Sequence, residues 1–183
     1  MEPLLVLPIV AFLILLILFT LVLRRAGQFI ASTRDVERFR RQAGDLAARS
    51  DTSLAEICAR IDSVRRGQLG ADQVADDIAA SLEAVARYAD EARAFHPPAA
   101  GRPIRDEIVA ELEHAARALE MIEHGRAIQA SARSGGREME AQTAIKRGYL
   151  NTLHAREAIA HQAKLAAAVS ATDDASRFQR RSV

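Results

Sequence analysis

The sequence predicts an all-α protein in which one N-terminal transmembrane helix precedes an antiparallel bundle of about four helices. Three observations predict this class. A 21-residue apolar segment lies near the N-terminus, apolar residues then recur at helical spacing in four stretches, and Ala is abundant, which favours long helices. We therefore expect a transmembrane anchor at residues 1–25, a cytoplasmic helical bundle at 26–169 and a flexible tail at 170–183.

The segment from Pro3 to Leu23 has the length of a membrane span. It carries no charge, and Thr20 is its only polar side chain. At 1.5 Å per residue a helix of this length extends about 31 Å, which matches the hydrocarbon core of a bilayer. The predicted membrane-spanning residues are Leu4, Leu5, Val6, Leu7, Ile9, Val10, Phe12, Leu13, Ile14, Leu15, Leu16, Ile17, Leu18, Phe19, Leu21, Val22 and Leu23.

A retained anchor is favoured over a cleaved signal peptide. Glu2 stands where a signal peptide carries a base, the apolar run is too long, and no small-residue cleavage site follows. Arg24 and Arg25 come next, and we expect them to contact lipid headgroups. Because basic residues follow the span and none precedes it, the positive-inside rule predicts an outside N-terminus and a cytoplasmic domain at the cell membrane.

The first helix after the anchor carries a seam of apolar residues at spacings of three and four. Such a seam is typical of coiled coils and helical bundles. Ser32 or Thr33 could cap this helix, but Phe29 and Ile30 also allow the membrane helix to continue into it. The predicted seam consists of Val36, Phe39, Leu46, Leu54, Ile57, Ile61 and Val64.

Glycine- and proline-rich breaks at 67–70, 96–103 and 134–136 separate three further helices. The second and third have clear apolar faces, and Pro103 lies in the first turn of the third. For the fourth we predict a broad apolar face through Met139, Ile145, Tyr149, Leu153, Ala160 and Ala167, with Leu150 and Leu165 beside it.

Acid–base pairs at i, i+4 recur on the polar faces of these helices. Each pair stabilises a helix by a few tenths of a kcal/mol. The pairs are Glu37/Arg41, Asp45/Arg49, Glu56/Arg60, Asp62/Arg66, Glu83/Arg87 and Glu113/Arg117.

Composition argues against nucleic-acid binding and against catalysis. The net charge is +1, and the paired charges form no phosphate-binding stripe. The chain has no glycine-rich phosphate loop and no recognisable nucleophile, so we expect no cofactor, no small-molecule substrate and no enzymatic activity. Cys58, the single cysteine, lies beside Ile57 and Ile61, and we interpret it as a buried thiol.

The alternative hypothesis is a metal-binding, ferritin-like bundle enzyme at the membrane. Such bundles use two Glu-x-x-His motifs, and Glu111 with His114 matches the spacing once. His154, Glu157 and His161 share a stripe of the fourth helix, but in the wrong order for the second motif.

The preferred hypothesis is a membrane-tethered helical scaffold or adaptor. Large apolar residues are few after the anchor, and Ala buries little surface, so we expect another molecule to cover part of the domain. We predict membrane lipid as one partner, and either a second copy or an unidentified protein as the other. A signal-transducing anchor is a third possibility, but only Met1 and Glu2 would lie outside.

Overall fold

The computed structural model describes residues 3–131 and 136–170, and all regular structure in these ranges is helical. Four α-helices are present there: α1 (Pro3–Arg65), α2 (Ala75–Arg93), α3 (Arg102–Ser131) and α4 (Glu138–Ala168). Short 3-10 helices at Ala71–Val74 and Ala99–Gly101 precede α2 and α3. The predicted all-α class and helical bundle are confirmed. The predicted tail lies outside the described residues from 171 onward.

Helix α1 is continuous over 63 residues, which corresponds to about 95 Å. Its backbone passes through Ser32 and Thr33 without a break. Neither residue therefore caps a separate helix, and residue 25, the predicted end of the anchor, lies inside α1.

The predicted membrane-spanning residues belong to the N-terminal part of α1. Of their side chains, the structure describes those of Leu16, Ile17 and Phe19, which are 50%, 57% and 60% exposed. The side chains of the other predicted spanning residues, and those of Arg24 and Arg25, lie outside the described part. Among the described residues, none of the helices combines the length and the apolar character needed to cross a bilayer.

The C-terminal half of α1 packs with α2, α3 and α4 into an antiparallel bundle. Helices α1 and α4 are antiparallel, because later residues of α1 contact earlier residues of α4. Arg40 donates a hydrogen bond to the Val169 carbonyl, and Asp51 accepts hydrogen bonds from Arg156. Further along α1, the Arg65 guanidinium lies 4.6 Å from the centre of the Tyr149 ring. Each helix contacts the next, and α4 closes the ring against α1.

The seam of α1 forms one wall of the core. Val36, Phe39, Leu46, Leu54, Ile57 and Ile61 are almost inaccessible, and Val64 is partly buried. At one end of the bundle the Phe39 ring contacts Phe95 edge-on, with 6.4 Å between ring centres. The seam is therefore occupied by helices of the same chain.

Helices α3 and α4 approach closely because glycine lies at both crossing points. A Cβ on Gly148 would lie 2.5 Å from Ile122 Cγ1 and 2.7 Å from the Ala118 carbonyl oxygen. A Cβ on Gly125 would lie 2.8 Å from the Ala141 carbonyl oxygen. Any side chain at either glycine would force the helices apart.

The predicted apolar face of α4 is wrong at both ends. Met139 is 80% exposed, and Ala167 is exposed as well. The face that α4 buries is made mainly of small residues, which permit the close approach to α3. Its members are Ala141, Ile145, Gly148, Thr152, Ala155, Ile159 and Ala166.

Candidate interaction surface

The contact between α1 and α2 leaves an open polar groove of about 220 Å³. Ser53, Glu56 and Arg60 line it from α1, and Asp77 and Ser81 line it from α2. Arg60 and Asp77 form a salt bridge across it. Two of its three charged lining residues are therefore paired with each other, and we assign no ligand to it.

A small cluster of ionisable side chains lies between α3 and α4. His114 Nδ1 is 3.5 Å from Glu111 Oε2, and the His114 and His154 rings are 6.4 Å apart. The Glu111 Oε2 atom is buried without a hydrogen-bond partner in the described residues. His161 and Glu157 lie further along α4 and are exposed. Within 3–131 and 136–170, no three His, Cys, Asp or Glu residues are arranged to hold a metal ion.

Cys58 is buried in the bundle at 5% exposure. Burial raises the pKa of its thiol to about 11, against a smaller opposing effect of the Arg156 charge. At neutral pH the thiol is therefore protonated, and a protonated thiol is a poor nucleophile.

The large apolar side chains that the bundle exposes lie on α3 and α4 alone, among the residues described. Met121 is 37% exposed, Leu150 52% and Leu165 42%, in addition to Met139. Taking 100° per residue, Met139, Leu150 and Leu165 lie within about 80° on α4. We name these four residues and the groove beside them the outer α3–α4 surface.

The groove of this surface has a volume of about 440 Å³ and runs between the two helices at the end of the bundle furthest from residue 36. Met121 and His124 line it from α3, and Met139, Glu140 and Arg147 are among the lining residues from α4. Its lining therefore combines apolar methionine side chains with polar and charged ones.

Charges around this surface are only partly paired. Arg137 donates hydrogen bonds to Glu140 and lowers the pKa of that carboxyl. In contrast, Glu120, Lys146 and Arg147 form no salt bridge within the part of the chain that the structure describes. The surface thus offers unpaired charges of both signs beside exposed apolar side chains.

Sequence reasoning did not identify this surface. Residue size alone places Met139, Leu150 and Leu165 on or beside the inward face of α4, whereas the structure exposes all three. The informative signal was the spacing of the small residues Ala141, Gly148, Thr152 and Ala155, which marks the buried side of a closely packed helix.

Comparisons with known proteins add no constraint on function. No family model matches the chain, and neither a curated protein nor a solved structure is significantly similar to it.

Proposed function

We propose that this protein is a membrane-tethered helical scaffold that associates with itself or with another protein through the outer α3–α4 surface. The observation that carries this proposal is the confinement of the exposed Met121, Met139, Leu150 and Leu165 side chains to two adjacent helices. Exposed apolar side chains gathered on one side of a folded domain mark a candidate protein interaction site.

The buried state of the α1 seam supports this choice of surface. A coiled coil with a partner through Val36 to Val64 would require the seam to leave the chain's own core. A partner is accommodated at lower cost on the outer side of the bundle.

Membrane tethering through residues 3–23 is the second part of the proposal. It is supported by the uncharged apolar sequence, by the arginines that follow it, and by the exposure of Leu16, Ile17 and Phe19 on a helix. Continuity of α1 would connect the anchor to the bundle without a flexible linker.

Tethering is tested by alkaline carbonate extraction of membranes and by protease protection of a C-terminal tag. We expect the full chain to remain in the membrane pellet and the tag to be protected in intact cells. Release into the supernatant, or a tag cleaved from outside, would refute the anchored topology.

Association is tested by chemical crosslinking of the full chain in its native membrane. We expect crosslinked products with wild type and their loss with Leu150→Glu, which places a charge in the apolar surface. The matched control is Ala86→Glu, at an exposed position of α2. Equal crosslinking of wild type and both variants would rule out the outer α3–α4 surface as the interaction site.

A further inference from the structure

The partner on the outer α3–α4 surface can be inferred from its charge pattern and from the direction of the helices. This step rests on the proposed function, because it assumes that every copy is anchored by residues 3–23. Copies anchored in one membrane with the same topology point their bundles in the same direction. Two such copies can be related by a two-fold axis that runs parallel to the bundle.

The relative heights of α3 and α4 follow from the glycine contacts. Gly148 lies against Ala118 and Ile122, and Gly125 lies against Ala141 and Ile145. Because the helices are antiparallel, residue 120 of α3 is level with about residue 148 of α4. Along the helix axis Glu120 is therefore offset from Lys146 by about 3 Å and from Arg147 by about 1.5 Å, which long side chains can span.

A two-fold axis over the groove would place α3 of one copy opposite α4 of the other. Residues at equal heights then face each other across the contact. Glu120 of each copy would meet Lys146 of the other, giving two identical pairs of opposite charge. At the same height Met121 would enter the apolar surface beside Leu150 of the second copy.

We propose that a second copy of this chain, parallel to the first, occupies the outer α3–α4 surface and pairs Glu120 with Lys146 across the contact. Neither side chain forms a salt bridge within the described residues. The contact between copies therefore breaks no existing salt bridge. The net charge of +1 leaves little repulsion between copies. A surface that carries an acid and a base at nearly the same height is complementary to a second copy of itself. A purely basic or purely acidic partner would leave either Lys146 or Glu120 without an opposite charge.

The test is a charge exchange in the full chain, measured by sedimentation in detergent micelles at low salt. We expect a dimer for wild type. Glu120→Lys should weaken it about tenfold, because two attractive pairs become repulsive. The double variant Glu120→Lys/Lys146→Glu should restore the wild-type affinity, because both pairs are re-formed with reversed signs.

The control is Glu83→Lys, which makes the same change of charge on exposed α2. If Glu120→Lys acts no more strongly than Glu83→Lys, or if the double variant is not restored, the proposed pairing is wrong. A wild-type chain that is monomeric at every concentration would overturn the second copy as the occupant. If native-membrane crosslinks to a different protein are still lost with Leu150→Glu in that case, the scaffold proposal survives this failure.

Discussion

The α3–α4 pair and the α1–α2 pair are held together by different kinds of contact. Between α3 and α4, Gly125 and Gly148 allow backbone to approach side chain directly. Between α1 and α2, polar groups bridge a wider space: Arg49 binds Glu91 and Ser53 bonds to the Tyr88 hydroxyl at 3.1 Å. Small residues thus bring helices together, while long charged residues connect helices that stay apart.

This difference also separates the two outer faces of the bundle. Where α4 packs closely on α3, its buried face consists mainly of small residues, and Met139 and Leu150 are exposed on its other side. The α1–α2 side buries its large apolar residues and exposes charged ones, of which Arg60 and Asp77 pair with each other. The exposed large apolar side chains of α4 thus lie on the side of the helix away from its glycine-mediated contact with α3.

The largest expected effect comes from adding a methyl group at the α3–α4 crossing. Gly148→Ala should lower the free energy of unfolding by about 1–3 kcal/mol, since the Cβ overlaps Ile122 and the Ala118 carbonyl. The measurement is urea unfolding followed by circular dichroism. In the control Gly44→Ala the new Cβ meets nothing within 4 Å. This substitution should instead raise the free energy of unfolding by about 0.5–1 kcal/mol. Equal changes at the two positions would contradict the close crossing.

A smaller effect is expected on the α1–α2 side. Tyr88→Phe removes the hydroxyl that bonds to Ser53 and should cost about 0.5–1.5 kcal/mol in the same unfolding experiment. Tyr149→Phe is the matched control, because the Tyr149 ring packs under Arg65 and the ring is kept. A loss for Tyr149→Phe as large as that for Tyr88→Phe would mean that the Ser53 contact contributes nothing specific.

The smallest effect should appear in the pH dependence of the α1–α4 contact. The hydrogen bond from Arg156 lowers the pKa of Asp51 below its ordinary value of 3.8. Since the depressed value belongs to the folded state, the stabilisation is present at neutral pH and is lost as the pH falls through that lowered pKa. We expect the melting temperature of wild type to exceed that of Asp51→Asn at pH 7. The gap should narrow below pH 3.8, and a constant gap would contradict the pairing.

Much of the fold could be predicted from the sequence because large apolar residues mark the inward side of α1, α2 and α3. Positions such as Phe39, Ile78 and Leu112 recur at helical spacing, and all are buried. Residue size does not mark the inward side of α4, where most inward residues are Ala, Gly and Thr. There the size of a residue indicates the outer side, since a close crossing excludes large side chains.

Two of the predicted i, i+4 pairs also form differently. Arg49 and Arg60 were expected to bind Asp45 and Glu56 on α1, but they reach Glu91 and Asp77 on α2. In contrast, Asp62/Arg66 and Glu83/Arg87 pair as predicted. Helical spacing shows which acids a base can reach on its own helix. An acid on a neighbouring helix can be identified only when the relative positions of the two helices are known.

The glycines show the same limit of local reasoning. Gly44, Gly125 and Gly148 all lie inside helices, yet Gly44 is exposed and the other two are buried. Their local sequences do not distinguish them. What differs is the presence of a second helix within van der Waals distance.

The central claim, that partners contact the outer α3–α4 surface and not the opposite side of the bundle, is tested most directly by cysteine footprinting. Single cysteines would replace Leu150 or Ala86 in the Cys58→Ser background, and maleimide labelling would be compared in native membranes and in dilute detergent. We predict that the cysteine at position 150 is labelled much more slowly in membranes than after dilution, while the cysteine at position 86 reacts equally in both. Equal rates at position 150, or protection at position 86 alone, would contradict the account.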